Sequence, residues 1–287
     1  MIKDEISIIV PVYNEENAVG DFLNSIKETM GQKNVKYEII AVDDGSADRS
    51  FDVIKDDEEI VVLRHEKNRG YGAALKTGIR KVRYETIIII DADGSYSPKD
   101  LDVLLNEAED WDMIVGDRVA GNKGHAISRS IAKWFLKHIA QYLSGRKIPD
   151  LNSGLRIFPK KIAEKYINIF PDGFSFTTTI TMIMLCNYYK VKFVPIEYHR
   201  RIGKSKIRPV YDTINFIKLI VQMSLYFNPI KIFVPVSLLL LASAMVIGIY
   251  QGIVFRNITT ITVIIFMSGL QIGMLGLLSD LIDKRTG

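Results

Sequence analysis

Thr86 to Tyr96 reads T-I-I-I-I-D-A-D-G-S-Y, and the rest of the chain is interpreted around this stretch. Its four consecutive isoleucines are β-branched and typical of a strand buried on both faces, as in a parallel sheet covered by helices. Asp91 and Asp93 follow the strand, and alternate side chains of an extended chain point the same way, so the carboxylates can converge. Converging carboxylates repel each other unless protonation or a cation relieves them, and a hard divalent ion that holds a diphosphate would do so. Because Asp-rich turns after strands are common and usually only solvated, the pair alone does not decide the function.

Strands and helices alternate along the first half of the chain. The strand patterns are Ile6–Val12, Tyr37–Val42, Ile60–Leu63, Ile87–Ile90 and Met113–Val115, and the helical patterns are Ala18–Met30, Tyr71–Val82 and a helix opened by Pro98. This alternation predicts an α/β fold with a doubly wound, mostly parallel sheet. Functional loops should lie at the carboxyl ends of the strands, where Glu15, Asp43, Asp91 and Asp93 all fall.

A dinucleotide-binding domain is the alternative for such a sheet. Its G-x-G-x-x-G signature does not follow the first strand, where the sequence reads Y-N-E-E-N, and a Walker loop is absent. Carboxylates and a metal are therefore expected to hold any bound nucleotide. Asn17 and Ser46 are the candidate N-caps of the helices that follow the first two strands.

The C-terminal part of the chain has the composition of a membrane anchor. Hydrophobic residues make up 48% of the sequence, and the stretches Ile232–Phe255 and Asn257–Ser279 contain no charged residue. Each is long enough for a helix that spans the ~30 Å hydrocarbon core of a bilayer. Val210–Phe227 has an apolar face and sparse charge, which indicates an interfacial amphipathic helix before the spans.

Basic residues flank the two spans on the side that a hairpin brings together, which predicts a cytoplasmic catalytic domain. They are Arg200, Arg201, Lys204, Lys206, Arg208, Lys218, Lys231, Lys284 and Arg285. Ile6–Val12 is too short for a signal peptide, so none is expected. The single cysteine, Cys186, rules out an intramolecular disulfide and fits a reducing compartment. No nucleic acid partner is expected, and the sequence leaves open whether copies of the chain form a homo-oligomer.

Five motifs in order give the chain a resemblance to a known family. The motifs are V-P-V-Y-N-E (Val10–Glu15), V-D-D-G-S (Val42–Ser46), D-A-D-G (Asp91–Gly94), N-S-G-L-R (Asn152–Arg156) and R-x-x-G-x-S-K (Arg200–Lys206). Together they resemble the family 2 glycosyltransferases of GT-A fold, and within them the dolichol-phosphate mannose synthase group. The resemblance covers about residues 1–209, and the two-span tail matches members that act on polyisoprenyl phosphates.

The resemblance implies a role for each matching residue. Pro11, Tyr13, Glu15 and Asp43 would line the pocket for the base and ribose of a nucleotide-sugar, and Asp91 and Asp93 would hold Mg²⁺ or Mn²⁺ on its diphosphate. Arg200, Ser205 and Lys206 would close over the diphosphate, and Arg118 and Arg129 would bind the acceptor phosphate. Mannose synthases often read D-A-D-L-Q, whereas Gly94-Ser95-Tyr96 follow here, which leaves the third protein ligand of the metal and GDP-mannose as donor in doubt.

In such a transfer the acceptor needs little chemical activation by the protein. A lipid phosphate is largely an oxyanion at pH 7, so no strong general base is required, and arginines bind phosphate oxygens in pairs. Direct attack on the anomeric carbon inverts its configuration. Asp150 lies near the position where alcohol-using relatives keep a catalytic base, although a turn-capping role is equally expected. His125 has a better chance of approaching substrate than the other histidines. The residues expected to carry catalysis are Asp93, Arg118, Arg129 and Asp150.

The sequence thus predicts an inverting, metal-dependent enzyme that transfers a hexose from GDP-mannose or a UDP-hexose to a polyisoprenyl (dolichyl) phosphate for glycan assembly. Residues 1–209 would form the GT-A domain, 210–229 the interfacial helix, and 230–287 the two transmembrane helices at about 232–255 and 258–281. A processive or alcohol-acceptor transferase is one alternative, although the Q-x-x-R-W signature is absent and two spans are few for a polymer channel. A catalytically inactive membrane scaffold of the same fold is the other.

Overall fold

The structure is a computed structural model, and it describes residues 5–108, 110–118, 137–173, 175–197, 221–222 and 229–286 of the 287-residue chain. The strands are β1 (Glu5–Val12), β2 (Lys36–Asp43), β3 (Ile60–Arg64), β4 (Thr86–Ile89), β5 (Met113–Asp117), β6 (Arg156–Pro159) and β7 (Val191–Pro195). The helices are α1 (Val19–Gly31), α2 (Ser50–Ile54), α3 (Tyr71–Ile79), α4 (Pro98–Asn106), α5 (residues 137–144), α6 (Lys160–Lys165), α7 (Phe176–Cys186), α8 (Ile230–Val254) and α9 (Thr260–Thr286).

The strands form one seven-stranded sheet in the order β3-β2-β1-β4-β6-β5-β7. All neighbours pair in parallel except β6, which runs antiparallel to β4 on one side and to β5 on the other. The predicted α/β fold with a mostly parallel sheet is therefore confirmed. The carboxyl ends of β1, β2, β4 and β5 lie at one edge, and the amino end of β6 joins them there.

The alternation of side chains along the central strands divides the core into two layers. Ile87 and Ile89 of β4 pack on one face of the sheet with apolar residues of α3, α5, α6 and α7. Ile88 and Ile90 pack on the other face with residues of α1 and α4. All four isoleucines are completely buried, as expected for a strand covered on both sides.

Two of the predicted helix caps are wrong. The N-cap of α1 is Ala18, one residue after Asn17, and no side chain caps this helix. The helix α2 begins at Ser50, so it is not capped by Ser46, whose hydroxyl instead accepts a hydrogen bond from Asn14 N at 3.0 Å. By contrast, Pro98 opens α4 as predicted, and Ser97 and Asp100 form a reciprocal capping box there.

The two C-terminal helices pack side by side and are long and apolar enough to cross a membrane. Their mean hydropathy is 2.6 for Ile230–Val254 and 2.1 for Thr260–Ile282. The hydroxyl of Ser237 donates to the carbonyl oxygen of Gly269 at 2.7 Å, which links the two helices. Of the predicted interfacial helix 210–229, all but residues 221, 222 and 229 lie outside the described part of the chain.

Candidate functional site

Hydrogen bonds that involve backbone N–H groups connect the loop after β1 to the residues after β2. Asn14 adopts a left-handed conformation with φ +54°, which an asparagine tolerates better than most residues. Its side-chain oxygen accepts from Ala47 N at 2.8 Å, and Glu15 N donates to Ser50 Oγ at 2.8 Å. The candidate nucleotide-binding residues Tyr13 and Glu15 are therefore held beside the carboxyl end of β2, where Asp43 lies.

Asp43 is fully buried at the end of β2. Arg64 Nε lies 3.2 Å from Asp43 Oδ2, and the guanidinium of Arg64 also stacks 4.1 Å from the centre of the Phe51 ring. A groove beside Asp43 is lined by Arg64, His65, Glu66, Lys67 and Arg69. Three of these side chains are cationic and one is anionic, so the groove carries net positive charge.

The neighbouring carboxylate, Asp44, contacts the loop at residues 65–70. Its Oδ1 lies 2.7 Å from His65 Nδ1 and accepts from Arg69 N at 2.9 Å, and its Oδ2 accepts from Gly70 N at 2.8 Å. These contacts fix the loop that leads into α3. The second Asp of the V-D-D-G-S motif is thus a structural anchor for residues 65–70.

Asp91 and Asp93 follow β4 at the carboxyl edge of the sheet, and both are partly exposed. Tyr71 OH donates to Asp91 Oδ1 at 2.8 Å, and Ser95 N donates to Asp93 Oδ1 at 3.0 Å. Burial and the negative charge of Asp91 raise the pKa of Tyr71 well above its ordinary value, so its hydroxyl stays protonated. The two carboxylates are therefore presented in defined positions at the edge where ligands of open α/β sheets bind.

The donor set of this pair fits a hard divalent cation. Carboxylate oxygens are the ligands that Mg²⁺ and Mn²⁺ prefer, and Mg²⁺ is usually bound by one or two carboxylates together with waters and substrate phosphates. Among the described residues, no group of three or more His, Cys, Asp or Glu side chains is arranged to hold a metal ion. Asp91 and Asp93 would thus be the protein ligands, with a diphosphate completing the coordination.

Arg118 and Asp150 form a close ion pair at the end of β5. Arg118 Nε donates to Asp150 Oδ2 at 2.6 Å, and Nη2 donates to Oδ1 at 2.9 Å. Burial raises the pKa of Asp150, but the hydrogen bonds and charge of Arg118 outweigh it, so the pKa lies below its ordinary value. Asp150 is therefore ionised at neutral pH and is a weak base.

Arg156 begins β6 and ends the N-S-G-L-R motif, but sequence analysis assigned it no role. Its side chain is completely buried, and it donates to the carbonyl oxygens of Ser153 and Thr177. Burial lowers its pKa to about 10 although the nearby Asp150 and Asp91 act to raise it, so it stays charged at neutral pH. Its place at the end of the N-S-G-L-R motif is the sequence signal that could have given it a role.

Several predicted site residues cannot be placed. Arg129, Arg200, Ser205, Lys206 and His125 lie outside the described residues. Among the described ones, the structure places Pro11, Tyr13, Glu15 and Asp43 at the ends of β1 and β2, and Asp91 and Asp93 after β4. It pairs Arg118 with Asp150 at the end of β5. All of these positions lie at the carboxyl edge of the sheet.

Comparison with known proteins gives two family matches. Residues 7–167 match the family described as Glycosyl transferase family 2, and residues 228–284 match the GtrB C-terminal hairpin. An uncharacterised protein of Methanocaldococcus jannaschii is 35% identical, over 68% of this chain and 82% of that one. The dodecaprenyl-phosphate galacturonate synthase of Rhizobium johnstonii is 25% identical, over 98% of this chain and 88% of its own length.

The fold also matches solved structures. The glucosyl-3-phosphoglycerate synthase of Mycobacterium tuberculosis, solved with Mn²⁺, UDP and glucosyl-3-phosphoglycerate, superposes with a TM-score of 0.61. The match covers 77% of this chain and 80% of that one at 16% sequence identity, so the likeness concerns the fold.

Proposed function

The chain belongs to glycosyltransferase family 2, and we propose that it transfers a hexose from a nucleotide-sugar to a polyisoprenyl phosphate at the cytoplasmic face of a membrane. The product would be a lipid-monophosphate-linked sugar of inverted anomeric configuration. The observation that carries the proposal is the attachment of the carboxylate-bearing sheet to the apolar hairpin. Lys231, at the start of α8, donates to the carbonyl oxygen of Leu143 at 2.9 Å, and Ile232 packs against the core of the catalytic domain.

This attachment favours a substrate that resides in the membrane. The match to the GtrB hairpin and the polyprenyl-phosphate relative point the same way. A polyisoprenyl phosphate keeps its chain in the bilayer and its phosphate at the surface, and a domain anchored there reaches that phosphate without leaving the membrane. We accordingly propose residues 1–209 as the catalytic domain, 210–229 as an interfacial helix and 230–287 as the anchor.

The donor would lie along the carboxyl edge of the sheet. We propose that Pro11, Tyr13, Glu15 and Asp43 surround the base and ribose, and that the diphosphate lies toward Asp91 and Asp93. A divalent cation bound there would neutralise the charge that develops on the nucleoside diphosphate as it leaves. Arg200, Ser205 and Lys206 are proposed to close over the same diphosphate.

The ion pair of Arg118 with Asp150 favours a phosphate acceptor over an alcohol. An alcohol needs a general base, which works best with a pKa near the operating pH, whereas Arg118 holds the pKa of Asp150 below its ordinary value. Asp150 instead fixes the plane of the Arg118 guanidinium through two hydrogen bonds. We propose that this oriented guanidinium, together with Arg129, receives the acceptor phosphate, which then attacks the anomeric carbon as an oxyanion.

Transfer of radiolabelled sugar to polyprenyl phosphate by the purified full chain tests the proposal. UDP- and GDP-sugars are supplied in parallel with Mg²⁺ or Mn²⁺, and the variants are Asp93→Asn and, as a control with the same change at an exposed carboxylate, Asp56→Asn. We expect a lipid-linked product with one donor, lost in Asp93→Asn and kept in Asp56→Asn. Label that appears on an alcohol acceptor supplied in place of the lipid phosphate, but on no lipid phosphate, would overturn the acceptor class. Transfer that survives Asp93→Asn would overturn the metal role.

A further inference from the structure

The carboxylate of Asp91 is enclosed by two residues that lie outside the D-A-D-G motif. Tyr71 OH donates to its Oδ1 at 2.8 Å. On the other side, a Cβ atom built on Gly154 would lie 2.0 Å from Asp91 Oδ2, so this oxygen rests directly against the Gly154 backbone. The carboxylate has a hydrogen bond on one oxygen and a steric wall on the other.

Tyr71 is itself held in place through its backbone. It follows Gly70, whose N–H donates to the buried Asp44 and whose φ is +107°. A Cβ on Gly70 would lie 2.5 Å from the carbonyl oxygen of Asp172, and one on Gly72 would lie 2.1 Å from that of Pro171. The start of α3 is therefore packed against residues 171–173, and the phenol of Tyr71 has a fixed origin from which to reach Asp91.

The backbone around Gly154 is also held in place by hydrogen bonds. Its N–H donates to the hydroxyl of Tyr96 at 2.7 Å, and Tyr96 is 3% exposed. The carbonyl oxygen of the preceding Ser153 accepts from the buried guanidinium of Arg156. Two buried side chains thus hold the turn that forms the wall against Asp91 Oδ2.

From this geometry we propose that Tyr71 and Gly154 are positioning residues that orient the Asp91 carboxylate for the divalent cation. The inference rests on the proposed function, because it concerns the same metal site. A side chain that is already held in one orientation does not have to be ordered when it binds a metal ion. Loss of the groups that hold it typically weakens metal affinity by about 10- to 100-fold. The hydroxyl of Tyr71 does so by hydrogen bonding and the backbone of Gly154 by contact.

Mn²⁺ binding to the purified full chain tests the role of Tyr71 without any reaction. Free Mn²⁺ is titrated by electron paramagnetic resonance in the presence of UDP and, separately, of GDP. The variants are Tyr71→Phe and a matched control, Tyr166→Phe, which removes the hydroxyl of a buried tyrosine 3.4 Å from Asn187 Oδ1. We expect Tyr71→Phe to weaken Mn²⁺ binding by about tenfold or more, and Tyr166→Phe to bind Mn²⁺ as the wild type does.

Transfer kinetics and a second variant separate positioning from a merely structural role. At saturating Mn²⁺, Tyr71→Phe should recover most of its kcat with the KM for the lipid phosphate unchanged. Gly154→Ala should displace the Asp91 carboxylate and weaken Mn²⁺ binding at least as much as Tyr71→Phe. A Tyr71→Phe variant that is folded by its melting temperature and binds Mn²⁺ within twofold of the wild type would overturn the inference. If the wild type binds Mn²⁺ but transfers no sugar, the proposed function fails while the titration still decides the role of Tyr71.

Discussion

Substitutions that remove the ion pair between Arg118 and Asp150 should show how strongly this pair holds the loop before β6 to the end of β5. Arg118→Gln removes the charge and both guanidinium contacts, and Asp150→Asn keeps the shape of the side chain but removes its charge. Besides the two guanidinium bonds, Asp150 Oδ1 accepts from Asn152 N at 3.0 Å. Either substitution should therefore loosen residues 150–154, which lead to the turn against Asp91.

The magnitude follows from the burial and geometry of the pair. The side chains of Arg118 and Asp150 are 25% and 12% exposed. Exposed pairs contribute at most about 1 kcal/mol, whereas removing one partner of a buried pair costs about 3–5 kcal/mol. Because this pair is bidentate and mostly buried, we expect each single substitution to cost about 2 kcal/mol, which corresponds to a fall in Tm of about 4–8 °C for a domain of this size.

Thermal unfolding of the detergent-solubilised full chain, followed by intrinsic fluorescence, provides the assay. Trp111 lies in the catalytic domain and reports on its unfolding. The double variant Arg118→Gln/Asp150→Asn should be about as stable as the less stable single variant, because the second substitution no longer leaves a partner unpaired. If the two losses of Tm simply add, the side chains do not depend on each other and the reasoning is wrong.

The same pair predicts how stability changes with pH. The pKa of Asp150 in the folded protein lies below its ordinary value of 3.8, so the pair stabilises the fold fully above about pH 4. That stabilisation is lost as the pH falls through the folded pKa and Asp150 becomes protonated. The difference in Tm between the wild type and Asp150→Asn should thus stay constant from about pH 5 to 7 and shrink below about pH 4. A difference that disappears near neutral pH would contradict the assignment.

Two further predictions concern the membrane-proximal side of the catalytic domain. Lys231→Met removes the ammonium group that donates to the carbonyl oxygens of Leu143 and Tyr142. This substitution should lower the Tm by about 2–4 °C. Lys147→Met, at an exposed lysine, is the control and should leave the Tm unchanged. Cys186 has its pKa raised to about 11 by burial, so its alkylation by iodoacetamide at pH 8 should be far slower than that of glutathione. Its rate should rise about tenfold per pH unit up to about pH 10, and a plateau near pH 9 would contradict the shift.

The parts of the site that depend on local sequence were predictable. The four isoleucines before Asp91 and Asp93 specify a strand by their own side chains, and the structure has that strand at Thr86–Ile89. The same reasoning located β1, β2 and β3 within one or two residues of their observed ends. Because parallel strands present their carboxyl ends at one edge, it also predicted which loops meet there.

The contacts that hold the site were not predictable, because they join residues far apart in the chain. Tyr71 and Asp91 are 20 residues apart, and Tyr96 and Gly154 are 58 apart. In the sequence, Tyr71 is the first residue of a predicted helix, and Gly154 is a member of the N-S-G-L-R motif to which no role was assigned. Only the packing of the start of α3 and of the turn before β6 around Asp91 gives either residue a role.

The direction of β6 shows why this long-range information matters for the chemistry. Arg156, its first residue, is aligned with Ile89 of β4 and with Val115 of β5, the residues near the carboxyl ends of those strands. Only an antiparallel strand puts its first residue at this edge, since a parallel β6 would begin at the opposite one. The reversed strand therefore places a buried positive charge at this edge, where it interacts with the charges of Asp150 and Asp91. A positive charge at this position lowers the electrostatic repulsion between those two carboxylates.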